Sequence, residues 1–109
     1  MHVTTVGLPL KISAKIGCKT YSFLIDTGSS ISLLPYHPDM LPFLRPTNVN
    51  LTNASGEVIK CHGEVNVELG IQRLRRSFPW SFVVASVTQP ILGTDFLSAQ
   101  NLLFGTFGD

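Results

Sequence analysis

The sequence predicts an all-β domain with one short helix near its end. Apolar and polar residues alternate with a period of two through most of the chain, which is the pattern of half-buried strands. Glycine and proline clusters interrupt this alternation at short intervals, as turns do. Only residues 95–101 have a helical pattern. The 109 residues are enough for one domain and too few for two, so we expect a single domain over 1–109.

The first half of the chain predicts a hairpin and then a loop. Apolar residues alternate with polar ones over 8–16, residues 17–20 break the pattern as a turn, and the alternation resumes over 21–25. Residues 35–46 contain four prolines, which favour an irregular loop.

The second half predicts a second hairpin and further strands. The turn sequence "NASG" (53–56) lies between short apolar-polar segments, which predicts a hairpin with a small, flexible tip. Strands are expected at 65–69 and at 78–87, and the second is apolar enough to be buried on both faces. Residues 101–107 are compatible with a last strand.

The overall charge argues against a polyanionic partner. The net charge is +1, so no general electrostatic attraction to nucleic acid is expected. Arg73, Arg75 and Arg76 form a local basic cluster, interpreted as a solvated loop or strand edge rather than a binding patch. Charged residues make up only 14%, which indicates either a compact β-rich domain or apolar surface covered by a partner.

The cysteines, histidines and hydropathy pattern predict the cellular compartment and whether a metal or a membrane is involved. Cys18 and Cys61 lack metal-ligand spacing and are too few for a disulfide framework, so free thiols in a reducing compartment are expected. His2, His37 and His62 also lack ligand spacing, so no metal or other cofactor is expected. Without a signal-peptide pattern or an apolar run of about 18 residues, the protein is expected to be intracellular or cut from a larger precursor, with no membrane partner.

The stretch "YSFLIDTGSSISLLP" (21–35) places Asp26 at the end of an apolar run. A buried, unpaired carboxylate is costly, so Asp26 is either a turn residue that reaches water or a group with an unusual proton affinity. The tripeptide "DTG" is a weak signal alone. Its context is more specific, because a buried strand precedes it, small hydroxyl residues follow it, and "PILGTDFL" (90–97) lies downstream.

These features together resemble the retropepsin-like aspartic proteases of retroviruses and long-terminal-repeat retrotransposons. The resemblance rests on Asp26-Thr27-Gly28-Ser29 after an apolar strand, on a glycine-containing hairpin at the flap position, and on 91–93 ("ILG") before a short helix. It covers nearly the whole chain, and the "LGTDFL" form is closer to the retrotransposon enzymes. It implies a small, partly open β-barrel with a flap hairpin and one short C-terminal helix.

The resemblance also implies a mechanism and a dimer. Peptide hydrolysis without a metal or a nucleophile needs an acid and a base around one water, and two adjacent carboxylates can share the proton that this requires. The chain has a single DTG, so the second carboxylate would be Asp26 of another copy in a symmetric homodimer. The implied activity is an aspartic endopeptidase that processes a retroelement or retroviral polyprotein, in the cytoplasm or within a virus-like particle. Its substrate would bind as an extended strand.

Supporting roles follow by resemblance. Thr27 would bond across the dimer interface, although a local turn bond is its alternative. Gly28 would allow a sharp turn. The Ser29 hydroxyl would either bond Asp26 or remain solvated.

The flap and the pockets are assigned in the same way. In the hairpin tip, a backbone amide would reach a substrate carbonyl directly or through water. The tip residues are Asn53, Ala54, Ser55 and Gly56. The substrate-pocket candidates are Leu24, Ser30, Leu51 and Ile91.

The chain departs from the retroviral pattern at two positions. Ser30 and Thr94 stand where retroviral proteases commonly have an aspartate and an arginine, so that ion pair is absent on both sides. Asp95 is interpreted as a first-turn helix carboxylate rather than a catalytic one. Trp80 is either a packing residue or a pocket wall.

Two other functions are compatible with the sequence. One is a protease-like binding or dimerisation module without turnover, and the other is a structural β-barrel in which Asp26 is only a turn residue. A serine nucleophile at Ser29 or Ser30 is disfavoured because no histidine lies nearby in the sequence.

Overall fold

The structure, a computed structural model, describes residues 10–100 and consists mainly of short strands. The strands are β1 (Lys11–Ile16), β2 (Lys19–Ile25), β3 (Leu33–Pro35), β4 (Leu51–Thr52), β5 (Val58–Ile59), β6 (Cys61–Ile71), β7 (Arg76–Ala85) and β8 (Ile91–Leu92). The single α-helix is α1 (Thr94–Ala99), and 3-10 helices lie at Pro38–Phe43 and Gln72–Leu74 within the described range.

Six strands close into a barrel, in the order β1-β2-β8-β3-β7-β6, and β6 pairs back onto β1. The hairpin of β4 and β5 forms a separate two-stranded sheet. The predicted all-β class with one short helix is confirmed, and strand pairing closes the barrel where a partly open one was expected. Closure removes the unpaired strand edges that an open sheet of this size would expose.

The first hairpin follows the predicted alternation. β1 and β2 are antiparallel, with registers from Lys11 opposite Leu24 to Ile16 opposite Lys19. Alternation sends Ile12, Ala14 and Phe23 inward.

The barrel core is built around aromatic side chains from distant parts of the chain. Phe23, Phe78, Phe82 and Phe96 are at most 2% exposed. The rings of Phe78 and Phe96 meet edge to face at 5.4 Å, a favourable geometry for aromatic pairs. Helix α1 has six residues and is too short to be stable alone, so burial of Phe96 and Leu97 stabilises it. No helix within residues 10–100 is long and apolar enough to cross a membrane.

Three elements differ from their predictions. Only residues 82–85 of β7 are buried on both faces, because Phe82 and Val84 pack in the barrel core and Val83 and Ala85 pack in a second apolar group, while the start of β7 alternates. The predicted irregular loop at 35–46 contains the end of β3 and a 3-10 helix, which tolerates proline in its first turn. Helix α1 spans Thr94–Ala99 instead of 95–101. The predicted strand at 101–107 and the start of the one at 8–16 lie outside the described residues.

A second group of apolar side chains lies outside the main core, beside the β4–β5 hairpin for which a flap role is predicted, and we call it the flap-side cluster. It joins the end of β7 to the β4–β5 hairpin and to β8. Its buried members are Leu33, Val83 and Ala85, and its half-buried members are Ile31, Val49, Leu51, Ile59, Cys61, Val87 and Ile91. Most of its members therefore keep part of their apolar surface open.

Candidate active site

Asp26 stands at the end of β2, where neighbouring backbone holds it on both sides. β2 runs parallel to β8, with Ile25 opposite Leu92, and the Asp26 amide donates to the Leu92 carbonyl at 3.0 Å. The Ile25 amide donates to the Leu10 carbonyl at 2.9 Å. The Asp26 side chain is half-buried, and its Oδ1 accepts a bond from the Gly28 amide at 2.9 Å. The carboxylate is thus fixed in direction and still partly open to solvent.

Residues 26–32 pack directly on the turn between β8 and α1, and we call them the catalytic loop after the role that the sequence predicts for Asp26. The Thr94 amide donates to the Ser29 carbonyl at 2.8 Å. A Cβ atom at Gly93 would lie 2.7 Å from the Ser29 carbonyl oxygen and 2.8 Å from that of Ile31. This close approach requires a glycine at position 93 and explains the "ILG" pattern physically.

The sequence-based prediction missed Ser32, which joins the catalytic loop to the helix. Ser32 is fully buried, and its hydroxyl donates to Asp95 Oδ1 at 2.7 Å and accepts from the Gly93 amide at 2.9 Å. The Ser32 amide donates to Asp95 Oδ2 at 3.2 Å. Asp95 also accepts from the Phe96 amide at 2.7 Å, as a carboxylate in a first helical turn can. No local signal separates Ser32 from the neighbouring serines, because its partners lie 61 and 63 positions away.

Three other residues of the loop, Thr27, Ser29 and Ser30, differ in their exposure and hydrogen bonding. The Ser29 hydroxyl donates to the Ile31 carbonyl at 2.7 Å, so neither a bond to Asp26 nor full solvation is observed. A carbonyl two residues ahead is a frequent partner for a serine in a turn. Thr27 is exposed, and its hydroxyl makes no hydrogen bond to any other residue in 10–100, so the local turn bond is not formed. Ser30 is exposed as well.

The β4–β5 hairpin contains the tip residues that the resemblance assigns to a flap. It has two paired positions, Leu51 with Ile59 and Thr52 with Val58, and residues 53–58 are exposed. Gly56 has φ +85°, and its amide donates to the Asn53 carbonyl at 2.9 Å. A three-residue loop with a left-handed glycine at its third position is a standard hairpin connection.

The pocket candidates are brought partly together. Leu24 lies opposite Ile91 in the parallel β2–β8 pair, next to the Asp26 end of β2. Leu51 and Ile91 both belong to the flap-side cluster, which connects the flap hairpin to the barrel. Ser30 lies in the catalytic loop and is outside that cluster.

The remaining titratable candidates, Cys18, Cys61 and His62, differ in their exposure and in the groups around them. Cys18 is exposed and Cys61 half-buried, and both are free thiols. Burial raises the pKa of the Cys61 thiol, and a backbone hydrogen bond at Leu51 partly opposes this. The His62 ring stacks on Tyr36 at 4.0 Å. Residues 10–100 contain no group of three or more His, Cys, Asp or Glu side chains that could hold a metal ion.

Trp80 and the arginine cluster also lie in packed or turn positions. Trp80 meets the Phe96 ring edge-on at 5.3 Å and also lines a surface pocket with Val67 and Pro79, so both expected roles are compatible with its position. Arg75 forms the turn after the 3-10 helix at Gln72–Leu74, with φ +54°. The Arg76 guanidinium lies 4.7 Å from the centre of the Phe78 ring, within cation-π range.

Comparison with known proteins identifies the fold. No protein-family model matches the sequence. The structure is similar to that of EIAV protease complexed with the inhibitor HBY-793, with a TM-score of 0.70, 19% identity, and coverage of 92% of this chain and 95% of that one. It is also similar to the retroviral protease-like domain of Ddi1 from Leishmania major, with a TM-score of 0.67, 13% identity, and coverage of 88% and 80%. At these identities the likeness establishes the fold, and this chain has the retropepsin-like fold that its motifs predicted.

Proposed function

We propose that this chain is an aspartic endopeptidase that acts as a homodimer, with Asp26 from each copy forming one active site. The observation that carries the proposal is the placement of Asp26 at the end of β2, fixed by Leu92 and Gly28 and still half-exposed. The retropepsin-like fold supports a protease-type function. One chain supplies one such carboxylate, and the two-fold symmetry of a dimer would bring a second opposite it.

The proposed chemistry needs only the two carboxylates and a water. Two carboxylates held close together cannot both ionise easily, so they share one proton, as in aspartic proteases generally. The ionised partner removes a proton from the water, which attacks the peptide carbonyl, and the protonated partner donates to the carbonyl oxygen. Thr27, whose hydroxyl is exposed and has no hydrogen bond within 10–100, is available to bond to the partner loop.

The proposed substrate is an extended segment of a polyprotein. The half-buried apolar members of the flap-side cluster, among them Leu51 and Ile91, favour apolar substrate side chains. The exposed flap hairpin offers backbone groups for strand-like pairing. Polyprotein processing, and with it an intracellular or particle location, follows from the resemblance to retroelement proteases.

The direct test is the Asp26→Asn variant, incubated with the precursor that contains this chain and with an unfolded protein at mildly acid pH. The amide has the same shape but cannot act as a base, so cleavage should disappear while circular dichroism and sedimentation stay unchanged. Cleavage by the unmodified chain should be blocked by a pepstatin-type inhibitor. Activity that survives in Asp26→Asn would contradict the proposal.

The second candidate is a protease-like binding or dimerisation module without turnover. It is favoured by the uncharged pair Ser30 and Thr94, and by a structural neighbour that is itself described as a protease-like domain. In that case the unmodified chain would bind an extended peptide as tightly as Asp26→Asn does and would leave it intact.

A further inference from the structure

The tip of the flap hairpin is organised by one side chain, that of Asn53. Asn53 Oδ1 accepts the Ser55 amide at 2.9 Å and the Glu57 amide at 3.0 Å. Its Nδ2 donates to Glu57 Oε1 at 2.9 Å. The Asn53 carbonyl accepts the Gly56 amide at 2.9 Å, and its own amide donates to the Glu57 carbonyl at 2.9 Å. Asn53 therefore makes five hydrogen bonds within a loop that is otherwise small and exposed.

These bonds occupy nearly all the backbone donors of the tip. The amides of Ser55, Gly56 and Glu57 all donate to Asn53. The Ala54 amide makes no hydrogen bond to any other residue in 10–100, and Ala54 is exposed. A donor that is already satisfied within the protein gains little by moving to a ligand, so the free amide is the favoured contact.

The tip also has a defined face. Leu51 and Ile59 are paired and belong to the flap-side cluster, together with Ile91 at the start of β8. Side chains two positions apart on a strand share a face, so Asn53 and Glu57 continue the face of Leu51 and Ile59. Asn53 and Glu57 therefore lie on the side of the hairpin that faces the barrel.

We infer that Asn53 is the positioning residue of the flap, holding the tip in the one turn that presents the Ala54 N–H to a substrate carbonyl. This inference rests on the proposed proteolytic function and gives the flap a rigid tip instead of the mobile one that its small residues predict. Recognition of the substrate main chain then depends on one named amide. Asn53 acts through that amide and does not itself touch the substrate.

The first experiment removes the amide and keeps the turn. The Gly56 amide donates to the Asn53 carbonyl, and neither Ala54 nor Ser55 has a positive φ, which is the pattern of a type I turn with Ala54 at its second position. Proline is favoured at that position, so Ala54→Pro deletes the free N–H while keeping the turn. We expect kcat/KM on a peptide substrate to fall about tenfold, with sedimentation and circular dichroism unchanged. Val58→Thr, at a position of the same hairpin that is 83% exposed, is the matched control, with kcat/KM expected within about twofold of the unmodified enzyme.

The second experiment tests the lock itself. Asn53→Asp keeps the acceptor for the two amides but places a second carboxylate against that of Glu57. At neutral pH this repulsion should lower kcat/KM relative to the unmodified enzyme at the same pH. At acid pH, where one of the two carboxylates binds a proton, the difference from the unmodified enzyme should disappear. Combining Asn53→Asp with Glu57→Gln restores a donor between the two side chains and should return kcat/KM to within about threefold of the unmodified enzyme at both pH values. Amide hydrogen exchange should be slower at residues 55–57 than at Ala54, and a pepstatin-type inhibitor should slow it at Ala54.

The outcomes separate this inference from the proposed function. Failure of the unmodified chain to cleave any substrate would overturn both. Turnover by the unmodified chain together with full kcat/KM in Ala54→Pro would overturn only the role of the Ala54 amide. Uniform fast exchange across 54–57 would overturn the lock by Asn53.

Discussion

Ser32→Ala should be among the most damaging single-atom deletions in the catalytic loop. The Ser32 hydroxyl is fully buried and serves two partners, the Asp95 carboxylate at 2.7 Å and the Gly93 amide at 2.9 Å. Its removal leaves the buried Gly93 amide without a partner and takes one bond from Asp95, which keeps its bonds to two backbone amides. An unsatisfied buried donor costs about 1–3 kcal/mol, and a bond to a charged group contributes about 1.5–3 kcal/mol.

The two terms together give a loss of about 3 kcal/mol, because water can replace part of the bond to the half-exposed carboxylate. For a chain of this length the entropy of unfolding is about 0.23 kcal/mol per kelvin, so the midpoint of thermal unfolding should fall by about 13 °C. Differential scanning calorimetry at one fixed protein concentration measures this shift, since dimer formation would make the midpoint depend on concentration.

Ser29→Ala is the matched control in the same loop. Its hydroxyl makes one local bond, to the Ile31 carbonyl at 2.7 Å, in a half-buried position where water can substitute. The expected loss is about 1 kcal/mol or less, or about 4 °C. Equal shifts for the two variants would refute the view that the link between Ser32 and the helix turn carries the difference.

Three further results are expected. Activity should peak on the acid side of neutrality and fall at both ends, because the proposed mechanism needs one proton held between two carboxylates, whereas a flat rate across this range would contradict that mechanism. The rate should rise more steeply than linearly with enzyme concentration, and Thr27→Val should shift this dependence to higher enzyme concentration. Sedimentation measured in parallel reports the monomer and dimer, and linear rates from a monomer would exclude a site shared by two chains. Gly93→Ala should destabilise the fold by about 3 kcal/mol in urea unfolding, because its Cβ would meet two backbone oxygens at 2.7 and 2.8 Å, and an unchanged midpoint would show that the loop moves aside.

The parts of the fold that were predictable are those encoded by neighbouring residues. The β1–β2 hairpin alternates with a period of two, and Asp26 follows directly from it. The "ILG" pattern before α1 marks the turn that packs on the catalytic loop. Each of these patterns is found within a few residues of the element that it predicts, so the local residue types are sufficient for the prediction.

What was not predictable depends on partners that are distant in the sequence or on side chains that act locally in unusual ways. Closure of the barrel requires β6 to pair with β1, as in Lys15 with Gly70 across 55 positions, and no local pattern specifies that pairing. The sequence does not distinguish Ser32 from the neighbouring serines, because its partner Asp95 comes beside it only in the folded structure. Asn53 is indistinguishable by composition from an ordinary turn residue, and its five bonds appear only once the loop has formed.

The two apolar clusters differ in how much apolar surface they leave open. The barrel core is nearly closed within one chain, and residues such as Phe23 and Leu92 expose no surface at all. The flap-side cluster is different, because Leu51, Ile59 and Ile91 remain half-exposed. Apolar surface left open in water is unfavourable by about 25 cal/mol per Å², so a bound chain that covered it would gain free energy in proportion to the area. A single copy can therefore complete its own core while its open apolar surface adjoins the strand that carries Asp26, which is where a polypeptide substrate would need to bind.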